Sequence, residues 1–257
     1  MKKKTLIIKI GSSTLTTGSN RISRGKIEDI AKQILKLQAD YNIALVSSGA
    51  IATAKHFIEV NQWKESHSRQ ALAAIGQPIL MQIYNEIFRD FGIHSAQCLL
   101  TYRDFDNSVA QTNIVNTLRD LFSHDFIPII NENDTIAIDE IVFGDNDKLS
   151  AYVAHLLKAD ILMLASDIDG LFDKNPQLHA NAKLIPVIND LNCCKQYIDE
   201  NKDNSLGTGG MTSKIQAAEI CAQGKTQMWI VNGGNNNFIV DSLKNKIQHT
   251  RFINLST

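Results

Sequence analysis

Six strand-like runs, spaced along the chain and separated by helical patterns, constrain its fold more than any other feature. They are Thr5–Ile10, Ile43–Ser48, Ser95–Thr101, Phe126–Asn131, Asp160–Ala165 and Thr226–Val231. Several are apolar without interruption, which suits strands buried on both faces of a parallel sheet. Between them lie stretches of helical period. Ile27, Ile30, Ala31 and Ile34 form one stripe; Leu72 through Phe91 predicts a long helix or a pair kinked near Gly76–Pro78; Asn107–Ser123 predicts a third. "TIAIDEIVF" (Thr135–Phe143) breaks the rhythm and predicts a hairpin or a bent strand. Strands and helices in this alternation predict an α/β/α sandwich.

A chain of 257 residues with 44% hydrophobic content can bury a sizeable core, as one large α/β domain or two small ones. No linker composition or internal repeat marks a boundary. A formal net charge of −1 removes the electrostatic case for nucleic acid as the main partner. "MKKKTLIIKI" begins like a signal peptide, but its apolar run ends when Lys9 interrupts it, and no small-residue cleavage site follows. No segment approaches the length of a membrane span. Cys98, Cys193, Cys194 and Cys221 have neither CxxC nor Cys/His metal spacing, and the adjacent pair is poorly placed to bridge with itself. The expectation is a cytoplasmic protein.

Open parallel sheets bind ligands at the carboxyl ends of their strands. Here that rule selects Gly11-Ser12-Ser13, Ser48-Gly49-Ala50, Asn131–Asp134 and Ser166–Gly170. A glycine in one such turn often only supplies a positive φ. Four small or polar loops on one edge point further, to a site.

Two phosphate motifs fail. "EICAQGKT" has Glu219 where a P-loop has its first glycine, and it lies at a helix C-terminus. "GTGGMT" (Gly207–Thr212) lacks the third glycine of a dinucleotide fingerprint. Even so, Thr208, Gly209 and Gly210 lead into a helix with the apolar stripe Ile215, Ala218 and Ala222. Unobstructed N–H groups there can receive phosphate oxygens, and Lys214 stands about one turn inside. The plainer alternative is a glycine hinge. Lys9 is the second oddity, since a lysine in an apolar strand is costly to bury unless paired; its alternative is an edge lysine that snorkels to solvent. In "FGDNDKLSAYVAHLL", the stripe Leu149, Tyr152, Val153, Leu156 and Leu157 puts Asp145, Asn146 and Asp147 at a helix start. Such carboxylates commonly cap helices, but two lysines aimed at a phosphate edge need an anion to space them.

Taken together, "IIKIGSS", "VSSGAI", "LAAIGQ", "NENDT", "GDND", "SDIDGL" and "GTGGMTSK" resemble the amino-acid kinase family. The resemblance implies a three-layer α/β/α sandwich around a mostly parallel sheet of about eight strands. It implies a single kinase domain over 1–257, with the amino-acid site in the N-terminal half and the nucleotide site in the C-terminal half. It implies ATP-dependent phosphorylation of the γ-carboxylate of L-glutamate, with Mg²⁺ as the nucleotide's partner. By that resemblance Lys9 and Lys214 neutralise the transferring phosphoryl group and Asp147 organises them. Ser48, Gly49, Asp134 and Asn146 match amino-acid positions. Gly11, Ser166, Asp167 and the loop Thr208, Gly209, Gly210, Met211, Thr212, Ser213 and Lys214 match nucleotide positions, with Ser166 replacing the usual threonine. No protein metal ligand is implied. Proline as feedback inhibitor and a homo-oligomer, dimer or tetramer, are expected on the same ground, in a form without the PUA domain that many bacterial members carry. A sibling kinase for N-acetylglutamate or another carboxylate, and a non-catalytic amino-acid sensor, stay open as alternatives.

Overall fold

The computed structural model describes residues 2–17, 21–57, 67–137, 146–176, 178–194 and 210–255. The hairpin expected in "TIAIDEIVF" lies outside these residues from position 138 onward, as do Asp145, Thr208 and Gly209.

The chain runs β1 (Lys4–Ile10), α1 (Ser12–Thr16), α2 (Arg24–Leu37), β2 (Tyr41–Ser47), α3 (Ala50–Phe57) and α4 (His67–Asp90). It continues with β3 (His94–Leu100), α5 (Ser108–Ser123), β4 (Phe126–Glu132), α6 (Asn146–Leu157), β5 (Ile161–Ser166) and β6 (Val187–Ile188). The last elements are α7 (Met211–Gly224), β7 (Gln227–Asn232), α8 (Phe238–Leu243) and β8 (Thr250–Phe252). The strands form one eight-stranded sheet in the order β3-β4-β2-β1-β5-β7-β8-β6. It is parallel except that β8 lies antiparallel to β7, with β6 parallel to β8. The expected sandwich and mostly parallel sheet are what the structure contains.

β1 is the pivot of this topology. Its neighbours are β2 on one side and β5, more than a hundred residues later, on the other. Strand order therefore reverses direction at β1, and the crevice at its carboxyl end is the switch point where α/β sheets bind ligands. Alternation along β1 divides the core. Leu6, Ile8 and Ile10 join the cluster that includes residues of α2 and α4. Ile7 joins the cluster that includes residues of α6 and α7. Lys9 shares the parity of Ile7, so it points toward α6 and α7.

The predicted kink in the long helix is not an interruption: α4 is assigned unbroken from His67 to Asp90, with Pro78 inside it. Gly76 has a packing reason. A Cβ there would stand 1.8 Å from the Ala50 carbonyl oxygen, so only glycine lets α4 lie this close to the start of α3. Asn107, read as the first residue of its helix, is the cap of α5, its side chain accepting from Val109 and Ala110 N–H at 2.9 and 3.1 Å. In α7, Ile215 and Ala218 are buried as expected, but Ala217 and Cys221 complete the inner face in place of Ala222.

Candidate active site

At the carboxyl end of β1 the structure brings together three residues that are far apart in sequence. Asp147, the second residue of α6, is fully buried. Its Oδ1 lies 2.5 Å from Lys9 Nζ and its Oδ2 3.1 Å from Lys214 Nζ. Both lysines are themselves buried, so neither snorkels to solvent as the alternative for Lys9 supposed. Ser213 Oγ, 2.8 Å from the Gly210 carbonyl, is 3.3 Å from Asp147 Oδ2. Burial alone would push the Asp147 carboxyl up, but Lys9 and then Lys214 outweigh it and hold it down at about 2. Two ammoniums on one carboxylate leave the cluster a formal surplus of one positive charge.

The neighbouring loops arrange themselves around this cluster. Gly11 adjoins it, where a Cβ would make an ordinary contact 3.7 Å from Lys9 Nζ. Gly210 is the residue before α7, and Met211, Thr212 and Ser213 form its first turn. Ser166 ends β5 and its hydroxyl donates to Asp167 Oδ1 at 3.1 Å. Gly233 N–H, after β7, donates to the Ser166 carbonyl at 2.8 Å.

Beside the cluster is a cavity of about 240 Å³, lined by all four residues assigned to the amino acid: Ser48, Gly49, Asp134 and Asn146. Gly49 has φ of +112°, which an L side chain would strain, and a Cβ there would be 3.3 Å from Leu15. The next residues start α3, so its free N–H end faces the cavity. Asn133, not Asp134, serves the turn, its Oδ1 accepting from Thr135 Oγ1 at 2.5 Å. Asp134 is half-buried; burial raises its pKa and Arg69 opposes that rise. Sequence reasoning missed Lys55 and Arg69, which also line the cavity. They stand on helices whose polar faces carry no signal of which way they turn.

Such an arrangement can hold a polyphosphate against a small cationic cluster while a polar molecule occupies the cavity next to it. That is the equipment of a phosphotransferase acting on a small polar acceptor. The chain belongs to the amino acid kinase family, whose model matches residues 4–232. It is 39% identical over 251 residues to a glutamate 5-kinase of Helicobacter hepaticus, covering 98% of this chain and 93% of that protein. It is 42% identical over 250 residues to a glutamate 5-kinase of Clostridium acetobutylicum, covering 96% and 94%. Among solved structures, UMP kinase from Ureaplasma parvum superposes with a TM-score of 0.69 at 18% identity, covering 98% of this chain and all of that one. Carbamate kinase from Giardia lamblia does so with a TM-score of 0.70 at 14% identity, covering 98% of both chains. At such identities these two structures speak to the fold alone. The described residues contain no group of three or more His, Cys, Asp or Glu placed to hold a metal, and no helix among them is long and apolar enough to cross a membrane.

Asp147→Asn should cost about 3–5 kcal/mol of folding stability, because two buried ammoniums lose their countercharge. The folded pKa of Asp147, about 2, lies below the ordinary value of about 3.9. Its contribution is therefore complete above about pH 4 and is lost as pH falls toward 2. Denaturant titrations of wild type and variant should show a stability gap that closes over that interval. A gap absent at pH 7 would mean that the lysines are neutralised by some other group.

Proposed function

We propose that this chain transfers the γ-phosphoryl group of ATP to the γ-carboxylate of L-glutamate, giving L-glutamyl 5-phosphate, the opening step of proline biosynthesis. One observation carries the reading: the Lys9–Asp147–Lys214 cluster stands one residue away, at Asn146, from the polar cavity. The glutamate 5-kinase relatives support the choice of substrate. The same reading takes the chain as one kinase domain over 1–257, acting in the cytoplasm as a homo-oligomer, dimer or tetramer.

The acceptor needs no general base. A γ-carboxylate has an ordinary pKa of about 4.3 and is already ionised near pH 7. Catalysis then rests on alignment and on neutralising charge as it develops. Lys9 and Lys214 meet the oxygens of the transferring group, and Asp147 fixes the two ammoniums at a set separation. The N–H groups at the start of α7, Gly210 to Thr212, receive phosphate oxygens, and Gly11 lies on the same edge. Ser166 and Asp167 hold the nucleotide from the end of β5, with Thr208 and Gly209 as further nucleotide contacts. In the cavity, Ser48, Gly49 and the start of α3 take the α-carboxylate, while Asp134 and Asn146 take the α-ammonium. Mg²⁺ would arrive with ATP, held by phosphate oxygens and water, since both Asp147 oxygens are engaged by lysines. It would supply further neutralisation of polyphosphate charge.

Lys9→Ala and Lys214→Ala should each lower kcat by about 10²–10³, with a smaller effect on the KM for glutamate. A rise in KM with normal kcat would remove the lysines from the transition state.

L-Glutamate should be preferred over N-acetyl-L-glutamate by roughly a hundredfold or more in kcat/KM, because acetylation leaves half-buried Asp134 desolvated beneath the substrate without the ammonium that would pair with it. Asp134→Asn should erode that preference, mainly by weakening glutamate. Equal use of both substrates by the wild type would favour the sibling kinase.

Free proline also carries a cationic amine and an α-carboxylate, so it should inhibit competitively with glutamate from the same cavity. Inhibition unaffected by glutamate, or none at millimolar proline, would place any control elsewhere.

A further inference from the structure

Behind Asn146 runs a line of side-chain amides, of which Gln77 and Asn131 have no part in the proposed chemistry. Gln77, on α4 just before Pro78, is 8% exposed, and its Oε1 accepts from Asn131 Nδ2 at 2.9 Å. Asn131, 2% exposed, turns its Oδ1 to Asn146 Nδ2 at 2.8 Å. Asn146 Nδ2 spends its other hydrogen on Ser48 Oγ, also at 2.8 Å. Ser48 is held from below as well, since its carbonyl accepts from Ser47 Oγ at 3.1 Å, and Ser47 Oγ is 2.9 Å from the buried Tyr84 hydroxyl.

A carboxamide offers two N–H donors and one oxygen acceptor. With both donors of Asn146 engaged, its Oδ1 is what remains for a ligand. Ser48, already accepting, keeps its O–H to donate. We infer that Gln77 is a positioning residue that anchors the far end of this relay, holding Asn131 and through it Asn146 so that the cavity presents Asn146 Oδ1 to an α-ammonium and the Ser48 hydroxyl to a carboxylate. The inference rests on the free amino acid proposed above as substrate. Turning all three amides over together would preserve every amide–amide bond. Asn146 would then aim N–H groups at the ammonium beside Asp134. Ser48 would have to donate to Asn146, leaving only lone pairs toward a carboxylate. One sense complements a zwitterion and the other repels both of its ends. Gln77 does not line the cavity; it acts through Asn131.

The test compares L-glutamate with glutarate, the same dicarboxylate lacking the amine, on wild type, Gln77→Met and Gln77→Glu. Gln77→Met should reduce the glutamate-over-glutarate preference in kcat/KM about tenfold, since the amine loses a fixed hydrogen-bond acceptor. The change should lie in the KM for glutamate, with the KM for ATP unmoved. Gln77→Glu keeps an oxygen acceptor for Asn131 Nδ2 and should restore most of the preference. Equal losses on both substrates would reduce Gln77 to a packing residue and overturn the inference while leaving the proposed reaction intact. A wild type that does not prefer glutamate would remove the free-amino-acid reading and this inference with it. A measurement independent of any variant is hydrogen exchange at the Asn146 side-chain amide. Slow exchange of both protons supports the stated sense, and fast exchange refutes it.

Discussion

A buried carboxylate shared by two buried lysines is the constraint around which the rest of this molecule is arranged. Each charged group alone would be expensive to take out of water. Together they are tolerable only while β1, α6 and α7 deliver them within hydrogen-bond reach of one another. That requirement reaches deep into the fold. The parity of β1 must put Lys9 on the face of α6, and α6 must begin just where β1 ends. Lys214 must be about one turn into α7, so that the helix's free N–H groups stay open while its ammonium reaches back to Asp147.

The start of α6 also separates two kinds of recognition. Consecutive residues of a helix diverge by about 100°. Asn146 uses that divergence to line the cavity, while Asp147 faces the lysines. A single helical step thus fixes the spacing between the polar cavity and the charged cluster. The separation does not depend on a flexible loop or on the relative motion of two bodies.

Much of this was legible in the sequence, for identifiable reasons. Five of the six long strands announce themselves because strands covered on both faces are largely apolar, while β3, at the sheet's edge, has no buried residue. Their ends drift by a residue or two, since pairing rather than composition decides where a strand stops. β6 and β8 span two and three residues, too short for any periodicity to show. Lys9 stood out as a charge in an apolar strand, and its partner could be guessed from the carboxylates at the start of α6. Lys55, Arg69 and Gln77 could not be found this way. A polar residue on a helix is ordinary, and only the packed structure shows that Lys55 and Arg69 border the cavity and that Gln77 is buried behind it. Gly76 was visible as a helix-breaking residue, yet its actual role is to let two helices touch.

The close approach of Gly170 to β8 has a consequence for how the molecule is built in time. Gly170 has φ of +158°, and a Cβ on it would lie 2.3 Å from Thr250 Oγ1. That hydroxyl accepts from Leu171 N–H at 2.8 Å and donates to the Ile185 carbonyl at 2.7 Å. The loop after β5 is therefore tied to a residue 79 positions further along the chain. Every residue lining the cavity, from Ser12 to Asn146, leaves the ribosome well before Thr250 does. All the parts of the cavity are therefore synthesised while the loop after β5 still awaits the strand that ties it, so a nascent chain holds the complete cavity lining before it can make that tie.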